Sequence, residues 1–198
     1  MSAPAESRVT GLVLAAGGSR RLGRPKQLLP YGDGTLLAHV LDVARACDFD
    51  QLLCVLGGSA EEVRERVDLH GVQVLENRHF GEGCSSSIAT ALGVVDRRSA
   101  VLVLLLGDQP GVSAATVRAL LAGRGDAPLA ACRYADGRGH PLAFARSTFA
   151  ALEALHGDKG VWKLLDRRAH EVRDVPVAGC VPRDVDTWED YEAVLAQR

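Results

Sequence analysis

Val9 to Ala15 is an unbroken apolar and β-branched stretch that runs into Gly17-Gly18-Ser19, the pattern of a strand buried on both faces and leading into a loop. From Leu36 to Cys47, apolar Leu37, Val40, Leu41 and Ala44 recur at helical spacing, so a helix with one buried face is expected there. Leu52 to Leu56 predicts a second buried strand. Ser59-Ala60-Glu61-Glu62 has the spacing of a capping box and opens another helix. Val72 to Leu75 reads as a third strand, Ser85 to Arg98 as a helix, Ala100 to Leu106 as the most apolar strand, and Ser113 to Leu121 as a helix again.

This alternation of strand and helix predicts a three-layer α/β/α sandwich around a mostly parallel, Rossmann-like sheet. After Leu129 to Tyr134, the segment Asp136-Gly137-Arg138-Gly139-His140-Pro141 carries turn chemistry. Ser147 to Leu155 and Val161 to Arg168 read as short helices, and Thr187 to Gln197 as a closing one. No repeat, low-complexity tract or linker interrupts the chain, so residues 1–198 are expected to form a single domain.

Composition narrows the function classes. With 23 basic and 25 acidic residues the formal net charge is −2, which offers neither a nucleic-acid footprint nor a polybasic membrane anchor. Any anion site is therefore local. The longest apolar run, Ala100 to Leu106, falls far short of the roughly 20 residues that cross a bilayer. Met1 to Ser7 lacks a cationic stretch followed by an apolar one, so a cytoplasmic protein is expected. The five cysteines (Cys47, Cys54, Cys84, Cys132 and Cys180) are scattered and form no Cys-x-x-Cys pair, which argues for reduced structural thiols rather than a disulfide framework or zinc site.

Of the 23 basic residues only Lys26, Lys159 and Lys163 are lysines. Two of them lie in glycine-rich loops, where an ammonium suits an anion better than it suits helix decoration. In an open parallel sheet, ligands bind beyond the carboxyl ends of the strands. The loop after the first strand holds Gly17, Gly18, Ser19, Arg20, Arg21, Gly23, Arg24 and Lys26. It matches neither the Walker pattern nor Gly-x-Gly-x-x-Gly. What remains is a glycine-rich turn whose amides can face an anion, with four cations beside it, and a polyphosphate is the natural guest. Charge alone does not rank Arg21 and Lys26 above Arg20 and Arg24.

The loop after the fourth strand, Gly107-Asp108-Gln109-Pro110, sets a carboxylate against apolar neighbours. Such a group needs a partner, either a divalent cation such as Mg²⁺ or the amides of the next turn. Asp184-Val185-Asp186 offers a second acidic candidate, with Asp186 alternatively capping the last helix.

The string Leu14-Ala15-Ala16-Gly17-x-Ser19-x-Arg21-x-Gly23-x-Pro25-Lys26-Gln27-Leu28-Leu29-Pro30 closely resembles the signature of the nucleotidyltransferases related to the molybdenum cofactor cytidylyltransferases and guanylyltransferases. Asn77 with Gly83-Cys84-Ser85-Ser86-Ser87, Gly107-Asp108-Gln109-Pro110, Gly139-His140-Pro141, Gly157-Asp158-Lys159-Gly160 and Asp184-Val185-Asp186-Thr187 extend the likeness over nearly the whole chain. Ala15-Ala16-Gly17 resembles the cytidylyltransferase branch, because guanylyltransferases typically carry Ala-Gly-Gly.

The resemblance implies a nucleotide-diphospho-sugar transferase type of fold, CTP rather than GTP as donor, and transfer of CMP to the terminal phosphate of molybdopterin with release of pyrophosphate. It assigns Arg21 and Lys26 to the triphosphate and Asp108 and Asp186 to Mg²⁺. Leu14, Ala15, Ala16, Gly17, Gly18, Ser19, Gly23 and Ser86 go to the nucleotide. Lys159 and His140 are candidates for the acceptor, His140 alternatively ordering the turn between Gly139 and Pro141. A molybdenum hydroxylase would receive the product. Trp188 stands where family members often have proline, and Trp162 lies near a position often held by arginine. The alternatives are cytidylyl or guanylyl transfer to another phosphorylated small molecule, or a non-catalytic nucleotide-binding maturation factor for a hydroxylase. The presence of both Asp108 and Asp186 weighs against the last.

Overall fold

The computed structural model describes residues 8–197. Its centre is a seven-stranded sheet in the order β5-β4-β1-β6-β8-β7-β9, formed by β1 (Arg8–Ala15), β4 (Gln51–Leu56), β5 (Gln73–Glu76), β6 (Ser99–Leu106), β7 (Leu129–Arg133), β8 (Arg138–Ala145) and β9 (Val172–Pro176). β1 pairs in parallel with β4 and β6, β4 with β5, and β7 with β9, while β8 runs antiparallel between β6 and β7. A two-stranded hairpin, β2 (Pro30–Tyr31) and β3 (Gly34–Thr35), stands apart.

Alternate residues of the central strands feed two cores. On one face Val13, Ala15, Cys54 and Val103 pack under α1 (Leu36–Arg45), α2 (Ala60–Arg66) and α4 (Ala114–Arg124). On the other, Leu12, Leu14, Ala16, Leu53 and Leu104 pack under α3 (Cys84–Leu92), α5 (Phe149–Glu153) and α6 (Gly160–Arg167). Helices on both faces explain why the strands read as continuous apolar runs. The expected three-layer, mostly parallel sandwich is thus the observed one. A small third cluster, Leu22, Leu29, Leu36, Val185 and Val194, seats α7 (Trp188–Ala196) against the hairpin. Among the described residues, no helix is long and apolar enough to cross a membrane.

Several local expectations are corrected. Ser59 makes no side-chain cap at α2, so the capping-box spacing there has no geometric counterpart. The capping box lies instead at α7, where Thr187 Oγ1 accepts from the Asp190 amide and the Asp190 carboxylate accepts from the Thr187 amide. Helix α3 ends at Leu92 rather than Arg98, because Gly93 follows and the Asp96 carboxylate then gathers the Arg98 amide and guanidinium into a turn. Arg138 to Pro141 belong to a central strand and not only to a turn. There β7 residues Ala131 and Cys132 pair with Leu142 and Gly139, so His140 and Pro141 are bulged out of the ladder. Proline has no N–H to give a ladder, and the bulge removes that demand.

Candidate active site

The carboxyl ends of β1 and β6 meet over Gly107, whose amide donates to the Leu14 carbonyl at 2.8 Å. A methyl group on Gly107 would lie 2.9 Å from Ala15 Cβ and 3.1 Å from the Leu14 carbonyl oxygen. Only glycine lets the strand ends approach this closely, and Asp108 follows at once. The C-terminal acidic segment hangs from the same point. The Val185 amide donates to the Asp108 carbonyl at 3.1 Å, and Gln109 Nε2 donates to the Pro182 carbonyl at 3.1 Å. Asp184 and Asp186, on either side of buried Val185, are thereby brought to Asp108 across more than seventy residues of chain.

The glycine-rich loop is built around Ser19, which adopts a left-handed φ of 48°. Its carbonyl accepts from the Leu22 and Gly23 amides, and its hydroxyl accepts from the Lys26 amide at 2.9 Å. Gln27 then donates from Nε2 to the Ala15 and Gly17 carbonyls at 2.6 and 3.1 Å, tying the loop's return to the end of β1. The Lys26 stem passes Gly17 so closely that a Cβ there would sit 3.2 Å from Lys26 Cε.

Lys26 ends between two carboxylates. Its Nζ donates to Asp108 Oδ2 and, at 2.8 Å, to Asp186 Oδ1, while Arg21 donates to Asp186 Oδ2 at 2.8 Å. Burial disfavours the ammonium, yet the Asp108 and Asp186 charges outweigh it and hold the Lys26 pKa above its ordinary value. Partial burial likewise opposes the Asp186 charge, but Lys26 and Arg21 prevail and keep its pKa low. Asp184 moves the other way, to about 6, through loss of surrounding water and repulsion from Asp108 and Asp186, against the opposing pull of Gln109 and Lys26. The carboxylates therefore converge on one small region that demands positive charge.

Lys26, Arg21 and the three carboxylates form part of the wall of an open cleft of about 800 Å³. Leu14 and Ala16 at the end of β1 and Gly17, Gly18, Ser19, Arg20, Arg21 and Lys26 of the first loop line it, as do His140 and Lys159. Ala15 points into the opposite core, although its carbonyl is held by Gln27. Gly23 supplies a turn with φ of 68° and does not line the cleft. Ser86 also lies outside the lining, where its hydroxyl donates to the Gly83 and His79 carbonyls and accepts from Asn77 Nδ2; Ser87 lines the cleft instead. Arg24 lies over Trp188, 5.5 Å from the ring centroid, and so separates from the other loop cations.

Asp184, part of the acidic segment but given no role by the resemblance, and Phe80, which the sequence left unassigned, also line the cleft. Phe80 covers Gly57 and Gly58, where an added Cβ would come within 3.0 and 2.8 Å of its ring. Paired glycines at the end of the second strand were the available signal. Among the described residues, no group of three or more His, Cys, Asp or Glu side chains is gathered so as to hold a metal ion. Hard carboxylate oxygens already meeting a cation nevertheless suit a divalent ion that takes its remaining ligands from phosphate.

Residues 11–172 match the profile of the MobA-like NTP transferase domain. The chain belongs to this family. Nicotine blue oxidoreductase of Paenarthrobacter nicotinovorans is 30% identical over 197 residues, covering 94% of this chain and 96% of that protein. The homologue of Mycobacterium tuberculosis Rv0371c from Mycobacterium sp. strain JC1 is 54% identical, with TM-score 0.90 and 96% of each chain covered. The M. tuberculosis H37Rv protein itself, solved as a complex with manganese, is 49% identical, with TM-score 0.85 and 96% and 98% covered.

Proposed function

We propose that this MobA-like NTP transferase moves CMP from CTP to the terminal phosphate of molybdopterin, releasing pyrophosphate and forming a cytosine dinucleotide cofactor that a molybdenum hydroxylase then receives. The observation that carries the reading is the meeting of Lys26, Arg21, Asp108 and Asp186 at the mouth of a glycine-rich loop. Cations for a triphosphate and carboxylates for a metal stand side by side.

In the proposed reaction an acceptor phosphate oxygen attacks the α-phosphorus of CTP in line with the departing pyrophosphate. Lys26 and Arg21 bind triphosphate oxygens and stabilise the charge that grows on the leaving group. Asp108 and Asp186 would hold a divalent cation, Mg²⁺ or, by analogy with the manganese-bound relative, Mn²⁺. When bound, the ion neutralises phosphate charge and orients the leaving group. Gln27 and Ser19 keep the loop amides and the Lys26 backbone in place, and no protein nucleophile is required. Ala16 lines the cleft, and its methyl, where the resemblance puts the base, would narrow that site and favour a pyrimidine. One domain, residues 1–198, suffices for this chemistry.

Pyrophosphate release with CTP or GTP at equal concentration, with and without molybdopterin, tests the reading. Release that requires molybdopterin and favours CTP by about 10- to 100-fold supports it. A preference for GTP moves the protein to guanylyl transfer, and release only with other phosphorylated compounds moves it to another acceptor.

The full-length likeness to nicotine blue oxidoreductase favours a second reading, in which the same cleft takes a flat dye for reduction. Dye bleaching coupled to oxidation of a reduced nicotinamide nucleotide, without pyrophosphate release from any nucleotide, would select it.

A further inference from the structure

Phe80 is a cleft side chain that no step of the proposed reaction uses. Its ring lies against the bare backbone of three glycines that follow β1 and β4. A Cβ on Gly18, Gly57 or Gly58 would come within 3.8, 3.0 and 2.8 Å of it. The same Cβ on Gly57 would stand 2.4 Å from the Ala16 carbonyl oxygen, so the ring borders Ala16 and the start of the glycine-rich loop. Part of the ring packs on the core beneath α3, and the half-buried side chain leaves the rest to the cleft.

The turn that carries Phe80 is fixed from beneath. It starts where the Asn77 amide donates to the Leu56 carbonyl at 2.9 Å, at the ends of β4 and β5. The buried Asn77 side chain accepts at Oδ1 from the His79 amide at 2.8 Å and donates from Nδ2 to the Ser86 and Ser87 hydroxyls at 2.8 and 2.9 Å. The Ser86 hydroxyl donates onward to the His79 and Gly83 carbonyls at 3.0 and 2.7 Å. Residues on both sides of Phe80 are thereby tied to one buried amide. Gly83 closes the turn with φ of 100°, where a Cβ would stand 2.7 Å from the Gly157 carbonyl carbon. A ring held in this way has little conformational freedom left to lose when a ligand packs on it.

A phenyl ring has no donor or acceptor, so it recognises flat apolar surface, and another aromatic ring meets it in stacked or edge-to-face contact. Triphosphate, metal and sugar gain little from it. Every base, by contrast, has a π-face, so packing on an aromatic side chain is tolerant of base identity. We infer that Phe80 packs on the nucleobase of the donor and supplies affinity for the base without choosing among bases, and that Asn77 and Ser86 position it through the turn. The inference rests on the nucleotidyl-transfer reading, which sets the base beside Ala16 and the triphosphate at Lys26. Ser86 then acts through Phe80 rather than by touching the nucleotide.

Calorimetric titration of the full chain with CTP, GTP and the base-free ribose 5-triphosphate, in Mg²⁺ and without acceptor, reads the contact apart from turnover. Phe80→Leu keeps apolar cover over Gly57 and Gly58 but removes the aromatic ring. It should weaken CTP and GTP by a common factor of about 5 to 100, the range of base–aromatic packing, and leave ribose 5-triphosphate unmoved. Phe80→Tyr should restore both nucleotides. Ser86→Ala should weaken CTP about 2- to 10-fold, the scale of one hydrogen bond, and weaken it no further in the Phe80→Leu background. The chain has four phenylalanines, of which Phe80 alone lines the cleft. In ring-labelled protein saturated with CTP, the cytosine ring protons should therefore show a nuclear Overhauser effect to the one phenylalanine signal that Phe80→Tyr removes.

Absence of that effect overturns the inference whether or not Phe80→Leu folds. Unchanged CTP affinity in folded Phe80→Leu overturns it as well, and so does an equal loss of CTP and ribose 5-triphosphate, since the ring would then only shape the phosphate loop. A full further loss from Ser86→Ala in the Phe80→Leu background removes the positioning role. Pyrophosphate release, followed in the same preparations, separates the two levels. If CTP releases pyrophosphate and Phe80→Leu keeps the margin of CTP over ribose 5-triphosphate, only the role of Phe80 fails. If no nucleotide releases pyrophosphate while that margin is lost in Phe80→Leu, nucleotidyl transfer fails and the base contact stands. Wild-type protein that binds CTP and GTP no more tightly than ribose 5-triphosphate defeats both.

Discussion

Replacing Lys26 by Met keeps the stem that passes Gly17 and deletes the charge that joins Asp108 to Asp186. The Lys26 and Asp108 side chains are only 11% and 18% exposed, while Asp186 is 42% exposed. The Asp186 arm, being the wetter one, is worth at most about 1 kcal/mol. Removing one member of a fully buried pair costs roughly 3 to 5 kcal/mol, but here the cleft is open and Asp108 can be rehydrated or protonated. The expected loss is therefore about 1 to 3 kcal/mol, or a fall in Tm of about 2 to 12 °C for a chain of this size. Thermal melts with and without millimolar Mg²⁺ or Mn²⁺ read this out. The metal should restore more stability to Lys26→Met than to wild type, because it replaces the missing positive charge between the carboxylates. The double variant Lys26→Met/Asp108→Asn should be more stable than the sum of its parts predicts, since each single change strands the other's charge. Turnover should fall by about two to three orders of magnitude, the effect of losing one preorganised donor to developing charge. A Lys26→Met protein with wild-type Tm, no added response to metal and near-normal turnover would refute the reasoning.

Asp108→Asn should fold and lose nearly all metal-dependent turnover, with a weaker loss in Asp186→Asn; near-normal activity in folded Asp108→Asn removes the metal assignment. Gly17→Ala should lower the rate by about tenfold with little change in Tm, because the new methyl stands 3.2 Å from Lys26 Cε and displaces a flexible stem rather than backbone. An unchanged rate would show that Lys26 tolerates the shift. His140, with a folded pKa of about 4 against an ordinary 6.5, binds its proton more weakly folded than unfolded. Its contribution is present above pH 6.5 and is lost as pH falls through 4, by at most about 3 kcal/mol. Denaturant titrations across that window should show a shallower acid decline in His140→Asn than in wild type, and parallel curves would contradict the burial of a neutral ring.

The layers of the fold were legible because buried strands and amphipathic helices have periods that neighbouring residues express directly. What escaped were elements whose partners are remote. Two-residue strands such as Pro30–Tyr31 have no period. The strand Arg138–Ala145 is disguised by Gly137, Gly139 and Pro141, residues that signal a turn in sequence and permit a bulge in space. The site shows the same division. Gly17, Arg21, Lys26 and Asp108 stood out as chemistry in loops, but nothing local ranked Lys26 above Arg24. That ranking depends on Asp108 and Asp186 drawing in one cation and Trp188 receiving the other. Within the Asp184-Val185-Asp186 candidate, nothing local told the two carboxylates apart: the raised pKa of Asp184 comes first from its burial and then from the Asp108 charge, both products of the fold, with a smaller push from Asp186. Ser86, picked out by resemblance, proves tied into hydrogen bonds of its own turn.

Positional labelling of the donor gives the most direct test of nucleotidyl transfer. CTP carrying label at the α-phosphorus or at the γ-phosphorus is incubated with the protein, molybdopterin and a divalent cation. The predicted result is that α-label moves into a product containing the pterin while γ-label leaves as pyrophosphate, both lost in Asp108→Asn. Transfer of γ-label to the acceptor, or retention of both labels in intact CTP under conditions where the folded protein binds the nucleotide, would contradict it.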